Sequence, residues 1–156
     1  MGIHVSHLLV QMGHQVVVTS RRQHASENSN LTYRVGNAKD QTFLNGLLTE
    51  HWDAIIDFMV WSTPEFKKRV QSFLESTSQY VFLSSYRVYA DSALIREDSP
   101  RLLDVVDDAE YLATDEYALA KARCEDMLFE SGKSNWTIVR PAVTYDASGR
   151  FQLAVH

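Results

Sequence analysis

The strongest constraint on this chain is the regular exchange of two hydrophobic periods. Compact apolar runs rich in β-branched residues fall at 15–19, 31–35, 54–59, 79–83 and 136–140, the pattern of strands buried on both faces. Between them lie stripes at helical spacing: Val5, Leu8, Leu9 and Met12; Phe43, Leu44, Leu47 and Leu48; Phe66, Val70, Phe73 and Leu74. Gly13 and Gly132 stand where helices end, and Thr63 with Pro64 reads as a cap and first helical residue. The run 114–130 is rich in Ala, Leu, Glu, Lys and Arg and predicts a further helix. Residues 90–113 are acidic, contain Pro100 and show no period, so they read as a loop. Strand and helix in alternation predict an α/β domain with a parallel sheet and helices on both faces.

The chain opens on a helix with no strand before it, and Gly2 directly precedes that helix. A Rossmann-like, doubly wound unit reads this way when its first strand and most of its glycine turn are missing, Gly2 being the last glycine of the turn. The expectation is therefore a partial dinucleotide-binding domain over 1–156, with no second domain or C-terminal substrate region: a fragment, a misplaced start or a truncated gene product, inactive and a poor dinucleotide binder on its own, with activity expected of the intact form. In the strand order of such a sheet the missing strand is central. The runs at 15–19 and 54–59 would then carry open edges, and would stand apart with a strand-wide gap, close onto each other in a rearranged sheet, or pair with a second chain, as in a homodimer. The chain has 156 residues, 45% hydrophobic and 22% charged, with a net charge of −5. That balance gives no electrostatic footprint for nucleic acid, and no run approaches the roughly 18 apolar residues of a membrane span. Cys124 is the one cysteine, which fits a reducing cytoplasm. His4 and His7 lie one helical turn apart without a third ligand at suitable spacing, so no metal site is expected.

Tyr117 and Lys121 are four residues apart in the helical run and share a face. A cation beside a phenol favours the phenolate, which makes the pair a candidate proton-transfer device. Tyr and Lys at this spacing also occur on ordinary solvated helix faces.

The order of Gly2-Ile3-His4-Val5-Ser6-His7-Leu8-Leu9, Gly13-His14-Gln15-Val16, Val81-Phe82-Leu83-Ser84-Ser85-Tyr86-Arg87-Val88-Tyr89, Tyr117-Ala118-Leu119-Ala120-Lys121 and Val139-Arg140-Pro141 decides between these readings. Together these segments resemble the extended short-chain dehydrogenase/reductases, the NAD-dependent epimerase/dehydratase family acting on nucleotide sugars, from Gly2 to about Tyr145. The resemblance implies hydride transfer at a sugar carbon. Ser85 would bond the sugar oxygen, Tyr117 would act as the base, and Lys121 would hold the nicotinamide ribose and tune the tyrosine. Ser84 would end the strand structurally.

The resemblance also implies cofactor contacts by Gly2, Ser20, Arg21, Arg22, Asn37, Phe58, Met59 and Pro141. Several of these depart from the family pattern. Ser20-Arg21-Arg22 replaces an acid that binds the adenosine ribose. The arginines are either a clamp for a 2′-phosphate, which favours NADP over NAD, or two solvated side chains in a turn. Asn37 replaces an Asp facing adenine, and Phe58-Met59-Val60 replaces smaller residues beneath the cofactor. Asp146 stands where a glycine is usual. The implied partner is a nucleotide sugar or similar small molecule. The alternative is a non-catalytic relative on the same fold, acting as a cofactor-sensing regulator or an RNA-binding protein.

Overall fold

The computed structural model describes residues 1–142 and 144; Tyr145 and Asp146 lie outside the described residues. The chain divides into two compact units, Met1–Glu50 and His51–His156. Its described strands are all parallel and form two hydrogen-bonded sheets, one in each unit.

In the first unit, helix α1 (Gly2–Gln11) leads to β1 (Val16–Ser20), which pairs with β2 (Leu31–Val35) from Val16↔Leu31 to Ser20↔Val35. Gly13, at φ 88°, turns the chain out of α1; this left-handed conformation costs glycine nothing. The stripe expected to face the core is only partly covered, since Leu8 is 56% and Met12 64% exposed. Helix α2 (Gln41–Leu47) starts at Asp40, whose carboxylate accepts the Phe43 N–H at 2.7 Å. Gly36, at the exit of β2, lies against the Phe43 ring, and a Cβ there would overlap that ring.

In the second unit, β3 (Trp52–Asp57), β4 (Thr77–Leu83) and β5 (Trp136–Val139) pair in that order. Tyr80 and Phe82 project from one face of β4 and are fully buried. They meet Phe66 and Phe73, with ring centroids 5.1 Å apart for Phe66–Phe82 and for Phe73–Tyr80, spacings at which aromatic pairs attract beyond simple burial. Helix α7 (Tyr117–Phe129) contributes Leu119, Ala122, Cys124 and Leu128, none with exposed surface. The α/β expectation and the parallel order within each sheet are borne out.

Three local expectations are corrected. The single helix from Thr63 is two, α3 (Thr63–Lys67) and α4 (Val70–Glu75). In a continuous helix the Arg69 N–H would bond the Glu65 carbonyl. Here the Arg69 guanidinium takes that carbonyl at 2.7 Å, its backbone N–H turns to Phe66 O at 2.8 Å, and the helix breaks. The cap is Ser62, in a reciprocal capping box with Glu65, because Thr63 is drawn to the Asp115 carboxylate before α7. The acidic segment is partly helical: Asp108 caps α6 (Ala109–Leu112), and Arg101 and Asp104 pair at 3.0 Å across α5 (Leu102–Val105).

Phe73 is 3% exposed and touches both Trp61 and Tyr80. Phe73→Ala is expected to lower the unfolding free energy by about 3–5 kcal/mol in urea titrations; a loss below about 1 kcal/mol would contradict this packing.

Candidate active site

Strand β4 delivers Ser84 and Ser85 at its C-terminal end, where ligands of open α/β sheets bind. The Ser84 N–H still bonds Val139 O of β5 at 2.8 Å. Its hydroxyl is buried without a hydrogen-bond partner among the described residues. Ser85 is extended and caps the short 3-10 turn Tyr86–Val88, its Oγ accepting the Arg87 N–H at 3.2 Å. The Ser85 hydroxyl therefore keeps its own proton to donate.

The turn packs against α7, whose first residue is Tyr117. Glu116 caps that helix, accepting the Ala118 N–H at 2.7 Å, so the helix begins later than the expected Thr114. Arg87 joins the two pieces. Its guanidinium lies 5.6 Å from the centre of the Tyr117 ring, and Nη2 stands 3.3 Å from Glu116 Oε1. The Tyr111 hydroxyl donates to the other Glu116 oxygen at 3.1 Å. Arg87 lies within the serine segment without an implied role; only the fold shows that it reaches the tyrosine.

Lys121 lies deeper. The residue is 2% exposed, and its ammonium donates to Leu83 O at 2.6 Å and Met59 O at 3.1 Å. It also sits 4.5 Å from the centre of the Phe82 ring, a favourable cation–π distance. Desolvation lowers its pKa, while the Asp57 charge opposes the shift.

Asp57, at the end of β3, was not singled out by sequence reasoning. Its carboxylate accepts from Tyr80 OH at 2.6 Å, Trp61 Nε1 at 2.7 Å and Met59 N at 2.8 Å. Burial nevertheless raises its pKa, against those three bonds and the Lys121 charge. Burial likewise pushes the Cys124 thiol up to about 12, so this cysteine is an inert core residue.

The residues with implied cofactor roles are distributed over both units. In the first, Gly2 opens α1. Arg21 and Arg22 are exposed, and Ser20 Oγ accepts the Arg22 N–H at 3.1 Å. Asn37 spends its Oδ1 on the Lys39 N–H at 3.1 Å. In the second, Phe58 is 38% exposed, Met59 is held between Asp57 and Lys121, and Pro141 O accepts the Tyr86 N–H at 3.2 Å. Two exposed guanidinium groups suit a phosphate. Lys121, which the resemblance assigns to the nicotinamide ribose, gives two of its three ammonium donors to carbonyls and lies beside the Phe82 ring.

No family model matches the chain. It is 26% identical over 160 residues to the chloroplast stem-loop binding protein of 41 kDa b of Arabidopsis thaliana, covering 92% of this chain and 39% of that protein. Among solved structures it is similar to MoeE5 in complex with UDP-glucose and NAD, with TM-score 0.56, 18% identity, 96% of this chain and 52% of that one. The complex of MoeE5 with UDP-glucuronic acid and NAD gives TM-score 0.55 and 19% identity, covering 96% and 53%. The structural likeness shows the fold, and the chain spans about half the length of MoeE5, and less of the stem-loop binding protein. No helix among the described residues is long and apolar enough to cross a membrane, and none of their His, Cys, Asp and Glu side chains group as a metal site.

Because Asp57 has a raised pKa, the folded state holds its proton at pH values where the unfolded chain has lost it. That part of the stability is full below the unfolded value, near 3.9, and is lost as pH rises through the folded value. Melting curves of the protein and of Asp57→Asn between pH 4 and pH 7 are expected to show the wild type losing ground to the variant as pH rises. A wild type that gains on the variant over this range would mean that Lys121 and the three donors dominate.

Proposed function

We propose that this chain is the dinucleotide-binding part of an NAD(P)-dependent oxidoreductase of the epimerase/dehydratase type, acting on a nucleotide sugar in a reducing compartment such as the cytoplasm. The observation that carries the reading is the meeting of the Ser85 turn with the first turn of α7, where Arg87 lies over Tyr117. The UDP-sugar and NAD in the MoeE5 complexes support the class of ligand. In this reading the Ser85 hydroxyl donates to a sugar oxygen and orients it, and the Tyr117 phenol exchanges a proton with that oxygen. Arg21 and Arg22 favour NADP(H), since each charge-assisted bond to a 2′-phosphate contributes about 1.5–3 kcal/mol.

A second reading has its own support. The sequence match is to a protein named for stem-loop binding, and a non-catalytic relative that binds RNA would share this fold. The net charge of −5 weighs against a phosphate-tracking surface.

Tyr117→Phe, made in a longer version that supplies the first strand with its glycine turn and the C-terminal substrate region, separates the two. The enzyme reading expects turnover of UDP-sugars to fall about 100-fold or more with dinucleotide affinity kept. Unchanged turnover would overturn the role of Tyr117. Absence of turnover in the wild type, together with salt-sensitive binding of a stem-loop RNA that survives Tyr117→Phe, would establish the second reading. For the cofactor, NADPH is expected to bind that longer version at least about tenfold tighter than NADH, and its Arg21→Ala/Arg22→Ala variant to lose that preference. Equal affinities in the wild type would contradict it.

A further inference from the structure

We infer that Arg87 is a positioning residue: its backbone N–H fixes the Ser85 hydroxyl and its guanidinium seats the Tyr117 ring, so that one residue aligns both groups. The catalytic consequence rests on the Ser85–Tyr117 reading; the contacts themselves belong to the ligand-free chain.

The backbone of Arg87 is held on both sides. Its N–H donates to Ser85 Oγ at 3.2 Å, and the Val88 N–H donates to Ser85 O at 3.2 Å, which closes the 3-10 turn. The Tyr86 N–H before it bonds Pro141 O at 3.2 Å, and Val88 after it is fully buried. The Arg87 N–H takes one lone pair of the serine oxygen and leaves the hydroxyl proton free to donate.

From that base the side chain reaches the start of α7. Nη2 stands 3.3 Å from Glu116 Oε1, and the guanidinium carbon lies 5.6 Å from the centre of the Tyr117 ring. Glu116 is itself fixed, because its other oxygen accepts the Ala118 N–H at 2.7 Å and the Tyr111 hydroxyl at 3.1 Å. Two consecutive residues of α7 thus bracket one guanidinium. The side chains of Arg87 and Glu116 are each 31% exposed. An ion pair so open to water adds little stability, so its consequence is geometric. No hydrogen bond among the described residues holds the Tyr117 hydroxyl, and the phenol therefore points where the seating of its ring directs it. A planar guanidinium lies against a ring and still offers an edge N–H to a carboxylate. The point charge of a lysine does not do both at once.

The seat can be observed without turnover, in the longer version that supplies the first strand, the glycine turn and the C-terminal substrate region. In its ligand-free wild type, nuclear Overhauser contacts are expected between the Arg87 side chain and the Tyr117 ring protons, the ring being assigned by its loss in Tyr117→Phe. Their absence would overturn the inference, and this measurement decides even where a variant fails to fold. With UDP-glucose and UDP-glucuronic acid as substrates, Arg87→Ala is expected to lower kcat about tenfold or more, with KM for the sugar and the NADPH affinity kept within about twofold. Guanidinium chloride, well below unfolding concentrations, is expected to restore more of that kcat than ammonium chloride does. Unchanged kcat, a loss confined to KM, or equal effects of the two salts would overturn the inference; a loss confined to KM would make Arg87 a ligand contact instead. Turnover lost in Tyr117→Phe but kept in Arg87→Ala sinks the positioning role alone. A wild type that turns over neither sugar sinks the oxidoreductase reading and the catalytic consequence with it, while the Overhauser contacts still decide the seat.

Discussion

The second unit depends on how it keeps a cation and an anion in its interior. Moving a carboxylate or an ammonium out of water costs several kcal/mol even after relaxation, and only well-placed partners offset it. Asp57 has three donors, one from the backbone and two from the aromatic side chains Trp61 and Tyr80. Lys121 has two carbonyls and a ring face. Met59 belongs to both sets. Because neither charge can move without stranding the other's partners, the ends of β3 and β4 and the first turns of α7 have one arrangement. Those are the elements that carry Phe58, Ser85 and Tyr117.

A further buried charge lies one turn along α7 from Lys121. Glu125 is fully buried and accepts from Arg140 at 2.8 Å through both of its oxygens, with Arg101 Nη1 at 3.5 Å. Arg140 continues to the Tyr89 hydroxyl at 2.6 Å, and Arg101 to Asp126 at 2.7 Å and Asp104 at 3.0 Å. A bidentate guanidinium–carboxylate pair is among the stronger ion pairs. Here it anchors the acidic segment after the serine turn, where Tyr89 bridges Arg101 and Ala90 N–H bonds Pro100 O at 2.9 Å. That segment holds its place through these polar ties and not through an apolar stripe of its own.

This contrast explains what the sequence made legible. Period-two and period-3.6 patterns report apolar faces, so the five described strands and α7 were readable. Ser85, Tyr117 and Lys121 were readable as a motif, because their order and spacing resemble a family. The contacts of charged side chains have no period. Arg69 breaks α3 from α4 by taking a carbonyl with its side chain, which nothing in the stripe Phe66, Val70, Phe73, Leu74 announces. Asp57 falls inside the run 54–59 with no mark of its role, and its partners Trp61 and Tyr80 are 4 and 23 residues away. Arg87 has no role implied by the serine segment, yet its guanidinium reaches Tyr117. The spacing of Tyr117 and Lys121 correctly places them on one helix, but spacing does not announce the Leu83 and Met59 carbonyls that the ammonium bonds.

The central claim is that Asp57 and Lys121 act as one unit through Met59. A double-mutant cycle tests it most directly, with unfolding free energies measured for the wild type, Asp57→Asn, Lys121→Met and the double variant. If the two charges are coupled, the double variant loses less stability than the sum of the singles, with an interaction energy above about 0.5 kcal/mol. Losses that add to within about 0.3 kcal/mol would show two independent sites and contradict the account.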